Sequence, residues 1–166
     1  MRWFDRPFSF EFPVETYPGI LERLRGTPLR LEALVDELPD DRQRGRIDGA
    51  WSVLEHVGHL SDLEPLWTGR IDDFLAGSDR LRPADVTNQK TEDADHDRAT
   101  AADLLASFRR LRAEHVARLD ALSPGDFARE ARHPRLDQTM RLIDSCFFVA
   151  EHDDHHLAIL RTLARA

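Results

Sequence analysis

Lysine is all but missing from this chain. Lys90 is the only one, so nearly every positive charge is an arginine, a skew that reads first as codon usage in a GC-rich genome. Cysteine is equally scarce: Cys146 stands alone, which excludes an internal disulfide and gives no sign of an oxidising compartment. Long hydrophobic runs are missing too, and the longest unbroken apolar stretch, Cys146 to Ala150, falls far short of a membrane span. The opening residues Met1-Arg2-Trp3-Phe4-Asp5-Arg6-Pro7 lack the apolar segment of a secretory signal. Basic excess is absent as well. A formal net charge of −8 disfavours attraction to nucleic acid or anionic lipid. Together these absences predict a cytoplasmic protein whose partners include neither nucleic acid nor membrane. What remains is ordinary: 166 residues, 41% hydrophobic and 33% charged, enough for one domain over residues 1–166 with a real core.

No segment shows the β-branched alternation of a sheet, whereas four stretches carry a helical period. Residues 1–14 precede them. There Phe8, Phe10 and Phe12 alternate with polar residues, as in an extended arm covered on one face and packed over its own bundle. Ile20, Leu24, Leu31, Leu34 and Leu38 then keep one face in phase across Gly26-Thr27-Pro28, which favours one kinked helix over two. Pro39 and the charged run Asp40 to Arg46 end it. A second helix opens on a capping box, Ser52 with Glu55, and its stripe runs from Val53 to Phe74, with a bend expected near Ser61–Asp62 before Pro65. Residues 77–99 are a long polar loop of the kind often used as a lid or binding loop. A third helix is expected from Thr100 to about Leu122, and a fourth at roughly 140–164 after an irregular link containing His133-Pro134. The fold class is all-α, a four-helix bundle with an extended N-terminal arm and a long loop between its second and third helices.

The fourth helix holds the anomaly. Its seam positions are Leu142, Ser145, Val149, His152, His156, Ile159 and Leu163, so two histidines occupy places where a bundle wants leucine. Four residues apart, their rings project from one face about one turn from each other, the spacing at which two imidazoles bind one metal. One inward histidine is more often a core residue with a hydrogen-bond partner. Two on an apolar seam both need polar partners, which shifts the balance toward a ligand. A third ligand should come from a facing helix, where His56 and His59 are available. A zincin-like reading is weaker, because Asp153 and not Glu follows His152.

The stretch WSVLEHVGHLSDLE, Trp51 to Glu64, and FFVAEHDDHHLAIL, Phe147 to Leu160, resemble the DinB/YfiT-like superfamily, and LRPADVTNQKTEDADHD resembles one branch of it. That group includes bacillithiol transferases and mycothiol-dependent maleylpyruvate isomerase. The resemblance implies a four-helix bundle, a homodimer, and Zn²⁺ or Ni²⁺ held by three histidines. Its first ligand corresponds to His59 in HLSD, and the other two to His152 and His156. His56 is expected at the edge of the second helix, with contact to the metal or one of its ligands as the rarer alternative, and His155 beside the seam as a surface residue or a support for a ligand. His96, His115 and His133 are expected to be solvated, as is the basic turn Arg109–Arg112. Asp62, Glu64, Asp153 and Asp154 are candidates to orient metal-bound imidazoles or to accept a proton, weighed against the commoner reading of each as a solvated helix charge. Cys146 is expected to be a small core residue. Asn88, Thr91 and Glu92 are loop residues placed to reach over the site.

Three neutral imidazoles leave a divalent charge uncompensated and a coordination position open, the pattern of a catalytic rather than a structural site. Such a position lowers the pKa of a bound water or thiol, so an electrophile can be attacked by either. The resemblance tilts the choice toward a metal-dependent thiol S-transferase acting on small electrophiles with a low-molecular-weight thiol. A metal-dependent hydrolase, or a non-catalytic metal or small-ligand binding module in a stress response, are the alternatives. A nucleic-acid factor is disfavoured by charge. With a net charge of −8 the protein is expected to give no salt-sensitive retardation of a DNA probe at physiological ionic strength. A shift in gel mobility that weakens as salt rises would overturn this.

Overall fold

The computed structural model describes residues 3–46 and 49–165. Met1 and Arg2 of the expected arm lie outside the described residues. Four long helices dominate: α1 (Tyr17–Asp36), α3 (Val53–Leu75), α5 (Ala101–Asp120) and α6 (Leu142–Arg165). Two short ones lie in the connections, α2 (Asp40–Gln43) and α4 (Gln89–Asp93). α1 packs against α5 and α6, and α3 packs against the same two, so α1 and α3 sit diagonally across the bundle. Helices consecutive in sequence are therefore not all neighbours in space, unlike those of a simple up-and-down bundle.

Each helix follows from its sequence. At the start of α3, Ser52 Oγ accepts from the Glu55 N–H at 3.0 Å and the Glu55 carboxylate accepts from the Ser52 N–H at 2.8 Å, a complete capping box. Thr100 caps α5 with one half of that arrangement, its Oγ1 accepting from the Asp103 N–H at 3.1 Å. α1 is one helix with Pro28 inside it, as the unbroken stripe predicts, and Ile20, Leu24, Leu31 and Leu34 are all buried. Pro28 has no N–H to give to the carbonyl of Leu24. Arg112 Nη1, arriving from α5, donates to that oxygen instead at 3.3 Å.

Arg112 does more than this. Its guanidinium donates to Glu64 Oε1 of α3 at 2.6 and 2.9 Å and to both carboxylate oxygens of Asp153 on α6. Thr27 of α1 also donates to Asp153, at 2.9 Å. All three charged side chains are at most 1% exposed. One guanidinium thus ties together all four long helices. This corrects the expectation of solvation for Glu64, Asp153 and Arg112, while Arg109 and Arg110 of the same turn are exposed as expected. Charge type alone reads as surface, whereas here the charges pair with one another across long sequence separations, with Glu64 Oε2 left without a hydrogen-bond partner.

The arm packs over the bundle as expected. Trp3 and Phe8 lie edge-on at 5.2 Å, Phe8 meets Phe148 at 4.9 Å, and Phe12 meets Phe147 at 5.2 Å. Arg141 Nη2 pins it by donating to the carbonyls of Phe10 and Phe12 at 2.9 and 3.0 Å. Cys146 is buried in the core, and burial pushes its thiol up to about 12.

Two segments differ from expectation. The link before α6 forms a small antiparallel hairpin, β1 (Glu130–Arg132) with β2 (Thr139–Arg141), Ala131 opposite Met140. Strands of three residues are too short to show alternation in a sequence. The 77–99 loop is also not structureless: Arg80 bridges Arg132 beside the hairpin, and α4 and a 3₁₀ turn at His96–Arg98 follow.

Removing one partner of a buried charge network strands the others. Arg112→Met is therefore expected to cost about 3–5 kcal/mol, read as a lower urea midpoint by circular dichroism. A midpoint within error of wild type would show that the three charges are not coupled.

Candidate metal centre

α3 and α6 bring His59, His152 and His156 together. All three are buried, and one potential ligand nitrogen from each lies within 4.8 Å of the others. They form the one cluster of potential ligands found among the described residues. His152 and His156 approach through their Nε2 atoms at 3.3 Å. Two nitrogens each about 2.0–2.1 Å from a tetrahedral ion would be separated by about 3.3–3.4 Å. His152 Nδ1 is buried without a hydrogen-bond partner.

The other nitrogens of the cluster are oriented from outside. Thr91 Oγ1 donates to Asp62 Oδ2 at 2.9 Å, so toward His59 it acts as acceptor, and His59 Nδ1–H donates to it at 3.1 Å. His59 Nε2 is thereby left bare. His96 Nε2 also donates to Asp62 Oδ2, at 2.9 Å. Its ring lies so close to α3 that a Cβ at Gly58 would come within 2.3 Å of it, and only glycine leaves that space. On α6, His156 Nδ1 and His56 Nδ1 are 2.8 Å apart, and donation from His156 leaves its Nε2 bare as well. Trp51 covers the cluster, its ring 4.7 Å from that of His59, and its Nε1–H donates to Glu92 at 2.8 Å. Arg46 Nη2 donates to the same Glu92 carboxylate at 2.6 Å. Trp3 of the arm stands edge-on to His152 at 5.0 Å.

The sequence pattern of the DinB superfamily matches residues 23–160. This chain belongs to that superfamily. YfiT from Bacillus subtilis, described as a probable metal-dependent hydrolase with an unusual four-helix bundle topology, shares its fold at 23% identity. The TM-score is 0.82, with 96% of this chain and 92% of that one covered. No curated protein matches this chain.

Several residues of this DinB protein are placed differently from their sequence reading. His96, His115 and His133 are not solvated: His115 and His133 are each 2% exposed, and the His96 side chain is 11% exposed. His56 touches the His156 ring, and His155 is half-buried beside Trp3. Thr91 and Glu92 do reach the site from the loop, while Asn88 lines the clefts around His59. Of the four candidate carboxylates only Asp62 is linked to a histidine of the cluster. Glu64 and Asp153 face Arg112, and Asp154 pairs with Arg23 and Arg30. The signal that could have pointed to His96 was the polarity of a loop long enough to fold back over α3.

Burial keeps these imidazoles neutral. It lowers His56 and His59 to about 4, with His155 adding to the shift at His56 and His56 to that at His59. His152 and His156 fall well below the ordinary value, first through burial and then through their histidine neighbours. Burial, then nearby arginines, brings His115 and His133 to about 3. Neutral imidazoles, a bare Nε2 on His59 and His156, and the 3.3 Å approach of His152 Nε2 to His156 Nε2 fit a divalent transition metal.

These histidines titrate near 6.5 in the unfolded chain and well below it when folded. Between those values the unfolded state binds more protons, so stability is present above pH 6.5 and is lost as pH falls toward about 4. Each such histidine contributes a slope of about 1.4 kcal/mol per pH unit in that window. Metal-free protein at about pH 5.5 should thus melt well below the same sample at about pH 7.5. An unchanged melting temperature would contradict the burial of neutral imidazoles.

Proposed function

We propose that this DinB protein is a metal-dependent enzyme acting on small electrophiles, with Zn²⁺ or Ni²⁺ held by His59, His152 and His156. The observation that carries the reading is the convergence of three buried, neutral imidazoles beneath Trp51 and Trp3. A bound divalent ion supplies Lewis acidity that lowers the pKa of a water or thiol placed beside it.

The chain's own residues supply the rest. Thr91 and Asp62 hold the His59 ring with Nε2 inward, and His56 does the same for His156. Trp3, Trp51 and the loop around Asn88 surround a cleft of about 410 Å³ over the histidines and limit the entry of water. Carboxylates around the site are engaged: Asp62 by Thr91 and His96, Glu92 by Arg46 and Trp51, Glu64 and Asp153 by Arg112. Water placed beside such an ion would ionise near neutral pH, but a thiol, with a free pKa of about 8.5, starts far closer to its ionised form and is the better nucleophile once ionised. That supports transfer of a low-molecular-weight thiol to the electrophile, and within this reading the protein is a homodimer. Hydrolysis is the second reading, favoured by the description of YfiT as a probable metal-dependent hydrolase.

Purified protein is expected to carry about one Zn²⁺ or Ni²⁺ per chain by elemental analysis, and His152→Ala to lose most of it. Metal-loaded protein should accelerate addition of a low-molecular-weight thiol to a model electrophile. The plateau should be reached at lower pH than in the uncatalysed reaction, and His59→Ala should abolish the effect. Full stoichiometry in His152→Ala would refute the ligand set. Ester cleavage without thiol dependence would move the assignment to hydrolysis.

A further inference from the structure

A second cleft, of about 330 Å³, is lined by His59 and His152 and also by Arg70, His133 and Arg135. Its remaining wall is largely apolar, with Trp3, Phe4, Trp67 and Phe148. Neither arginine has an ion-pair partner among the described residues. Arg70 is 2% exposed, and its Nε and Nη2 both donate to one neutral acceptor, the Arg82 carbonyl, at 3.2 and 3.1 Å. Asp73, the acid near it on α3, is taken by the Arg82 side chain at 2.7 Å. Arg135 lies over the rings of Phe4 and Phe148 at 5.2 and 5.7 Å, and its Nη2 is buried with no hydrogen-bond partner.

His133 sharpens the deficit. Its Nδ1 accepts from the Leu136 N–H at 3.1 Å, and its Nε2 lies 3.1 Å from Arg70 Nη1. A neutral imidazole accepting at Nδ1 carries its proton on Nε2, so a donor faces a donor. The opposite tautomer only moves the conflict to Leu136. Burial, opposed in part by Asp73 and assisted by Arg135 and Arg82, brings Arg70 down to about 10, and burial lowers Arg135. The one carboxylate lining the cleft, that of Asp85, is exposed and accepts from Thr87 and Gln89. Buried cations without counter-charge are costly, and donors without acceptors are rarely left so. An anion bound between them removes both penalties.

We propose that this cleft binds the carboxylate of a small organic acid, held by Arg135 and by the Arg70–His133 pair. The apolar body of the acid lies against Trp3, Phe4, Trp67 and Phe148. Guanidinium groups match a carboxylate geometrically, and aromatic walls suit hydrocarbon rather than a hydrated polyanion. The far end of the ligand then faces His59 and His152, which makes an organic acid the substrate class of the proposed enzyme. That last step alone rests on the metal-dependent reading, because the anion site needs no metal.

The experiment is a calorimetric titration of wild type, metal-loaded and chelator-stripped, with acetate, phenylacetate, 3-phenylpropionate, the two corresponding aryl amides and inorganic phosphate. Arg135→Gln is titrated in parallel, with circular dichroism and metal content as controls. An aryl carboxylate should bind both forms of the wild type and bind about 10–100-fold more tightly than its amide. Arg135→Gln should lose a similar factor with its helical signal and metal content unchanged. Arg135→Lys should recover part of the affinity. Absence of binding by every carboxylate, equal binding of the amides, tighter binding of phosphate, or an unaffected Arg135→Gln would each overturn the proposal. Binding that disappears when metal is stripped would place the carboxylate on the ion, ending this proposal while leaving the metal-dependent reading intact. Carboxylate binding by protein that never takes up metal would do the reverse.

Discussion

The guanidinium of Arg112 is the point on which the four long helices meet. It pairs with Glu64 on α3 and Asp153 on α6, and it takes the Leu24 carbonyl that Pro28 leaves without a donor in α1. A hydrophobic core of leucines and phenylalanines packs helices together but tolerates sliding and rotation, whereas a buried charge with three oriented partners tolerates neither. Burial alone would weaken that charge. Asp153 and Glu64 outweigh the effect, and the Arg112 pKa stays above its ordinary value. The same burial pushes the Glu64 carboxyl up against the pull of Arg112.

The histidine cluster inherits its alignment from this network. Asp153 directly follows His152, so holding its carboxylate against Arg112 fixes the rotation of α6 and with it the direction of both α6 histidines. Glu64 does the same for α3, little more than one turn beyond His59. The bundle therefore determines which turns of the two helices face each other, and Thr91, Asp62 and His56 then set the rings themselves. Alignment comes from the core and fine orientation from the loop.

Local patterns made most of this legible in the sequence. The capping box at Ser52 and Glu55, the stripe of α1 running unbroken through Pro28, and the i, i+4 histidines on an apolar seam all lie within a few residues, so periodicity alone exposes them. Long-range polar partners were not legible. Arg112 sits in a basic turn that looks solvated, and nothing nearby says that its carboxylates lie 48 and 41 positions away. His96 and His133 were hidden for the same reason: a polar loop and a three-residue hairpin give no period from which burial can be inferred.

The spacing of the histidines along the chain also bears on when the site comes into being. His56 and His156 touch although 100 positions separate them. A ribosome supplies roughly 5–20 residues per second from the N-terminus, so α3 emerges well before α6 exists. During that interval α3 presents two histidines to solvent with nothing opposite them. The complete cluster appears only when the C-terminal helix docks, so no ion can be held by all three histidines before α6 has been made. Capture of an ion by all three imidazoles would in this sense be a late event in the life of the molecule.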